Sequence, residues 1–371
     1  MKEHHYGDLC IIGMRGCEEF VAQVDNYIRL SREQEEGTFI AEAYCPRFGS
    51  GEGKGLIKDS MRSRDVYIIS DVFNHGVTYE MYGQTVPMSP DDHFQDLKRI
   101  IGAIGGKAKR ITVVMPMLYE GRQHKRSSRE SLDCALALQE LHNMGVSSFI
   151  TFDVHDPRVQ NAIPLCSFDN FRSTYQMIKA LVHEYPDIEF DKEKIMIVSP
   201  DEGAMSRCMY YSSMLSLELG MFYKRRNYSV IINGKNPIEA HEYLGRDPKG
   251  MDVIVVDDMI SSGESMIDVA RQLKARGANR IFIFTAFGLF CNGLELMDDA
   301  YADGLFTRIM TTNLVYRTPE LLSREWYSEV NMCKYVAYII DTLNHEQSVA
   351  GLLDQSQRIH TLITNHKNSK K

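Results

Sequence analysis

Short, nearly unbroken apolar runs recur along the chain, and between them apolar residues return every three or four positions. The runs at 9–13, 65–70, 110–115, 148–153, 194–199, 252–257 and 280–286 are expected as strands. The amphipathic stretches at 18–30, 93–104, 128–143, 206–219 and 265–276 are expected as helices. Strands that are apolar at every position, not at alternate ones, belong to sheets covered on both faces. Parallel sheets with right-handed helical crossovers provide that cover, so the chain is expected to be α/β. At 371 residues it exceeds what one core usually holds, and two domains follow. The turn-rich region from Asp156 to Phe171, with Pro157 and Pro164, is the expected seam. The division is then 1–162 and 163–352, with 353–371 as a tail whose Lys-rich end, from His366, frays.

Composition narrows the function classes. Hydrophobic residues make up 44% and charged residues 25%, as in ordinary soluble proteins. A net charge of -8 argues against nucleic-acid binding, which needs a basic excess. Apolar runs such as Val253 to Val256 fall far short of the ~20 residues that span a bilayer. The start carries no apolar signal region, so a cytoplasmic protein without membrane contact is expected. The eight cysteines stand singly, without close CxxC spacing, and read as reduced core residues.

The sharpest chemical signal lies between the expected strand at 252–257 and the helix after it. An apolar run leads into Asp257 and Asp258, then through Ser261, Ser262 and Gly263 into Glu264 and Ser265. The carboxyl edge of a parallel sheet is where open α/β folds place ligands. A helix that starts there turns free N–H groups and its positive end toward an anion such as phosphate. The serines add hydroxyl donors. The paired acids repel phosphate and suit sugar hydroxyls or a metal. A serine cap would explain one serine; it does not explain two acids, three serines and a glycine together.

This segment resembles the loop shared by type I phosphoribosyltransferases and phosphoribosyl pyrophosphate synthetases. Five further segments, in order over most of the chain, resemble the ribose-phosphate pyrophosphokinase family. The first, Arg47 to Glu52, is similar to a loop that reaches the adenine of ATP across a subunit boundary, which implies nucleotide roles for Phe48, Ser50 and Glu52. Ser50 stands where that family has an acid. The second, Tyr119 to Gln123, is similar to a segment in which Arg122 and Gln123 would hold ATP; His124 departs from the usual Asp. The third, 151–157, implies that His155 helps hold Mg²⁺ on the triphosphate, with Asp153 and Asp156 making the mouth anionic. The fourth, 197–203, offers Asp201 as a magnesium and ribose-side ligand. The fifth, Tyr223 to Asn227, resembles a catalytic basic run and implies Lys224 and Arg226 as the charge-neutralising pair. The stretch Asn344 to Val349 is similar to the family's carboxyl-terminal ending and carries structural weight.

The resemblance implies two type I phosphoribosyltransferase-like domains, each a mainly parallel sheet flanked by helices, with ATP between them and ribose 5-phosphate on the second. It implies a diphosphoryl transfer from ATP to the sugar phosphate and a homo-oligomer, commonly a hexamer built from dimers, with ATP sites shared between subunits. Two alternatives remain at this point. One is a phosphoribosyltransferase, which would share the 257–265 loop. The other is a synthetase-like regulatory subunit, which the departures at Ser50 and His124 leave open.

Overall fold

Runs that are apolar at every position must bury both faces, and they form the parallel strands of two sheets. The structure, a computed structural model, describes residues 5–226 and 238–370, with the backbone alone at 224–226 and 238–241. The chain separates into two compact units.

The first unit holds Met1–Ser173, Asn313–Thr318 and Asn331–Asp354. Its elements begin with β1 (Asp8–Gly13), α1 (Glu18–Ser31), the short pair β2 (Ala43–Tyr44) and β3 (Leu56–Ile57), and β4 (Arg64–Ile69). A hairpin of β5 (Thr78–Met81) and β6 (Gln84–Pro87) leads to α2 (Pro90–Ile104), β7 (Arg110–Val114), α3 (Asp133–Asn143), β8 (Ser148–Phe152) and β9 (Ser167–Phe171). Ser89 and Asp92 start α2 with reciprocal side-chain bonds to each other's backbone N–H, and Pro90 needs no donor there. The sheet runs β1-β4-β7-β8-β9, parallel throughout. Each crossover therefore moves the same way. Val66, Ile68, Val113 and Phe149 share a core with Leu97 and Ile100 of α2 and Leu138 of α3.

The second unit holds Thr174–Thr312, Pro319–Val330 and Gln355–Lys371. It contains α4 (Thr174–Glu184), β10 (Ile195–Ser199), α5 (Met205–Leu215), β11 (Glu218–Arg226), β12 (Ile238–Leu244), β13 (Asp252–Ile260) and α6 (Glu264–Ala275). Then come β14 (Ile281–Gly288), α7 (Glu295–Ala302), β15 (Arg308–Thr312), α8 (Pro319–Leu322) and β16 (Tyr327–Val330). The sheet order is β12-β11-β10-β13-β14-β15-β16, with β12 antiparallel to its neighbour. Alternation along β13 is clean. Val253 and Val255 pack with Ile267 and Leu273 of α6, while Ile254 and Val256 pack with Cys208 and Tyr211 of α5. The two helices thus cover opposite faces, and the winding direction reverses between β10 and β13.

Three helices end the chain: α9 (Cys333–Asn344), α10 (Ala350–Leu353) and α11 (Ser356–Asn368). The first of these returns to the first unit, although a linear division puts it in the second half. The Tyr335 ring meets Phe152 and Phe171 edge-on at 6.1 and 5.9 Å. Asn344 Nδ2 donates to Asp65 Oδ2 at 2.9 Å, beside the Arg110 guanidinium that grips the same carboxylate. The expected tail is instead the helix α11. Ile359 is fully buried and packs in the second unit's core with Leu362 and Ile363, and His366 bonds the Ile188 carbonyl at 2.7 Å. That apolar i, i+3, i+4 spacing outweighs the lysines that follow. No helix among the described residues is long and apolar enough to cross a membrane.

Candidate functional site

The carboxyl ends of β10 and β13 flank the winding reversal, and the second unit's site residues gather there. Strand β13 runs three residues beyond the expected end, so Asp257 and Asp258 lie within it, with Asp257 opposite Thr285 of β14. Ser261 and Ser262 follow, and Gly263 caps α6 with φ 87°, a left-handed conformation. A Cβ there would also stand 1.8 Å from Met297 Cε, so glycine is needed on both counts. No side chain caps this helix start, which leaves its first N–H groups to a ligand or solvent.

Asp258 is buried, and its N–H donates to Asp257 Oδ1 at 2.8 Å. Arg207 of α5 stands 3.6 Å from Asp257 and 4.0 Å from Asp258. Burial first, then the Asp258 charge, raise the Asp257 carboxyl well above the usual carboxylate range; Arg207 opposes this and Asp201 adds to it. Asp201 sits in the turn after β10, where Oδ1 accepts from the N–H groups of Gly203 and Ala204 at 2.9 and 3.2 Å. Among the described residues Asp201, Asp257 and Asp258 bring carboxylate oxygens to this edge, with Arg207 beside two of them. That chemistry fits a hard divalent cation, which Mg²⁺ sites usually build from one or two carboxylates plus substrate phosphates. Among the described residues no ready-made cage of three or more ligands exists.

Arg207 was not singled out from the sequence. Its signal is positional: it falls on the buried stripe of α5, with Ala204, Cys208, Tyr211 and Leu215, where a charge needs a partner.

In the first unit, Arg122 is exposed after β7, in a segment that leaves the strand through Glu120 at φ 54°. Gln123 is held by its own turn: its N–H donates to the Glu120 carbonyl and its side-chain amide to the Ser131 carbonyl at 3.0 Å. Tyr119 anchors the segment, stacked on Phe94 at 4.2 Å and bonded to Asp91. His155 is exposed, its ring 5.2 Å from that of His124. The acids beside it have partners of their own. Arg158 bonds the Asp156 carboxylate through several atoms and drives its pKa far down. Asp153 is buried and accepts from the Ser173 N–H and hydroxyl at 2.9 and 2.5 Å. His124 Nε2 lies 3.4 Å from Asp156, while its Nδ1 is buried without a hydrogen-bond partner.

The Arg47 to Glu52 loop closes on itself. Phe48 N–H donates to the Glu52 carbonyl at 2.7 Å, and the Ser50 hydroxyl donates to Glu52 Oε2 at 2.8 Å. Arg47 anchors it, paired with Asp96 at 2.9 Å and lying over the Tyr79 ring. Phe48 is left 55% exposed. Lys224 and Arg226 fall on β11, but their side chains lie outside the described residues.

Comparison with known proteins agrees with this layout. Residues 9–145 match the N-terminal domain of ribose phosphate pyrophosphokinase, and residues 170–324 match the phosphoribosyl transferase domain. A ribose-phosphate pyrophosphokinase of Ureaplasma parvum is 28% identical over 239 residues, 64% of this chain and 69% of that protein. One from Vibrio parahaemolyticus is 24% identical over 319 residues, 85% of this chain and 92% of the relative. The crystal structure of phosphoribosylpyrophosphate synthetase from Mycobacterium smegmatis superposes with a TM-score of 0.73 at 20% identity, covering 91% of this chain and 98% of that one, and shares the fold. Two phosphoribosyltransferase-like domains in that order, with relatives spanning most of its length, place the chain in the ribose-phosphate pyrophosphokinase family of enzymes.

Proposed function

We propose that this chain makes phosphoribosyl pyrophosphate from ATP and ribose 5-phosphate, releasing AMP. The observation that carries the reading is the edge between β10 and β13: the adjacent carboxylates Asp257 and Asp258 beside a helix start that no side chain caps, set where the winding reverses. A phosphate suits the N–H groups after Gly263 and the hydroxyls of Ser261, Ser262 and Ser265. Asp257 and Asp258 accept from the vicinal ribose hydroxyls. A neutral sugar edge satisfies acids that a second phosphate would repel.

The anomeric oxygen attacks the β-phosphorus of ATP. The bond from that phosphorus to the α–β bridging oxygen breaks, the anomeric hydroxyl loses its proton, and AMP leaves. Such a transfer depends on positioning and charge neutralisation more than on a protein nucleophile. Lys224, Arg226 and Arg122 supply fixed positive charge, while Phe48 and Glu52 serve the adenine. Ser50 holds Glu52 in place through its hydroxyl. His155 and Asp201 are the residues assigned to hold Mg²⁺, which when bound offsets phosphate charge. By analogy with the family we assign the active form to a homo-oligomer. A phosphoribosyltransferase would use the 257–265 loop but has no need of the first unit's nucleotide residues. A purely regulatory chain would release no AMP.

Purified protein incubated with ATP, Mg²⁺ and ribose 5-phosphate should yield AMP and phosphoribosyl pyrophosphate, followed by phosphorus NMR. Absence of both products across several divalent metals and added phosphate rejects the proposal.

A further inference from the structure

The segment between β4 and α2 folds as the β5–β6 hairpin, whose strands pair in register from Thr78 opposite Pro87 to Met81 opposite Gln84. Its two-residue turn is Tyr82-Gly83, with φ of 51° and 74°. Both residues are left-handed, as a tight hairpin with the right-handed strand twist requires. Asn, Asp or Gly fill the first such position at least cost, whereas an aromatic residue there carries backbone strain. Tyr82 is nevertheless 81% exposed, so no packing within the unit compensates it.

The hairpin tip rests on the loop that carries Phe48. Tyr82 N–H donates to the Gly49 carbonyl at 2.9 Å. Met81 Sδ lies where a Cβ on Gly51, itself at φ 91°, would approach to 2.7 Å. Tyr79 of the same hairpin lies under the Arg47 guanidinium, 4.8 Å from its centre. Among the described aromatic residues Tyr82 and Phe48 are the two most exposed, at 81% and 55%, and they sit on adjoining backbone. The hairpin root is also fixed. Asn74 bonds Gly16 and Gly76, and buried His93 bonds the Asn74 carbonyl at 2.8 Å.

We propose that Tyr82 is a second base-binding aromatic, acting with Phe48 on the adenine ring of the nucleotide donor. This rests on the nucleotide role assigned to the Phe48 loop. Hydrogen bonding and packing join the loop and the hairpin tip, which puts Tyr82 next to the loop that carries Phe48. Two flat rings on adjoining backbone, open to solvent and without aromatic partners of their own, suit a planar π-surface that every nucleobase offers. Strain at the turn residue is retained because the ring is wanted at that place.

The test uses Tyr82→Asn, which suits the turn and should fold at least as well, alongside Tyr82→Phe. Tyr82→Asn should raise KM for ATP about tenfold, the usual loss for one stacking ring, with kcat and KM for ribose 5-phosphate changed less than about twofold. Tyr82→Phe should behave like the parent, because the ring and not the hydroxyl is used. ATP binding without sugar, by equilibrium dialysis, should weaken by the same factor in Tyr82→Asn. Unchanged ATP binding in that variant overturns the proposal, as does a change in oligomeric mass with ATP affinity retained, which would make Tyr82 a protein contact. If the parent binds ATP but releases no AMP, the synthetase reading fails, while dialysis still decides the role of Tyr82.

Discussion

The two sheets present their carboxyl edges differently. In the second unit the strand order turns back between β10 and β13, so the loops that follow leave toward opposite faces and open a crevice between them. The acids and the phosphate-suited helix start stand there without further construction. In the first unit the order never turns back, and the residues assigned to ATP come from appended pieces: the Phe48 loop, the hairpin behind it and the segment after β7. One site is made by winding; the other is made by decoration. Ser50 and His124, two departures expected from the family pattern, lie in decoration, and the milder ones at Glu202 and Ala204 lie in the turn after β10.

Substitutions can test that contrast. Lys224→Ala carries the largest expected effect, a fall in kcat of about 10²–10³ with little change in ATP binding, as loss of a charge-stabilising group gives. Loss of ATP binding without loss of kcat would move Lys224 out of the transfer step. Gly263→Ala should cost about 2 kcal/mol of stability, from the left-handed backbone and displacement of buried Met297. Urea unfolding measures it, and a neutral result would mean that the helix start tolerates other conformations.

A matched pair comes next. Asp258→Ala should raise KM for ribose 5-phosphate about tenfold and leave ATP unaffected, while Arg122→Ala should do the reverse. If either variant shifts both constants equally, the division of substrates between winding and decoration is wrong.

The smallest effect concerns pH. Asp257 holds its proton more tightly in the folded protein than at the ordinary value of 3.8, so the folded state binds more protons and stability falls as pH rises above 3.8. Asp257→Asn should remove that part of the decline and stabilise the neutral-pH protein by about 1 kcal/mol, while weakening sugar phosphate binding. A variant with the parent's pH dependence would show that Asp257 is not the strained group.

The central strands were legible because burial on both faces writes them as continuous apolar runs, and each expected one formed within a few residues. The edge strand β9 was hidden: Ser167, Asp169 and Asn170 break the apolar pattern, and the region reads as a turn-rich seam. The hairpin was hidden too, since Tyr82-Gly83 lacks the Asn or Asp that marks such turns. At the site, the Asp257 to Ser265 loop was visible because its chemistry is local in sequence. Arg207 was not, since its meaning comes from α5 lying against the β13 edge. Asp153 and Asp156 accept from Ser173 and Arg158, partners that strand-end motifs do not announce.

The return of α9 has a consequence for biosynthesis. The face of the first sheet that bears Asp65, Tyr67 and Phe152 takes part of its cover from residues 331–354, which are synthesised well over a hundred residues after its last strand. A nascent chain stalled before Asn331 would leave Phe152 and Phe171 without the Tyr335 ring and Asp65 without Asn344.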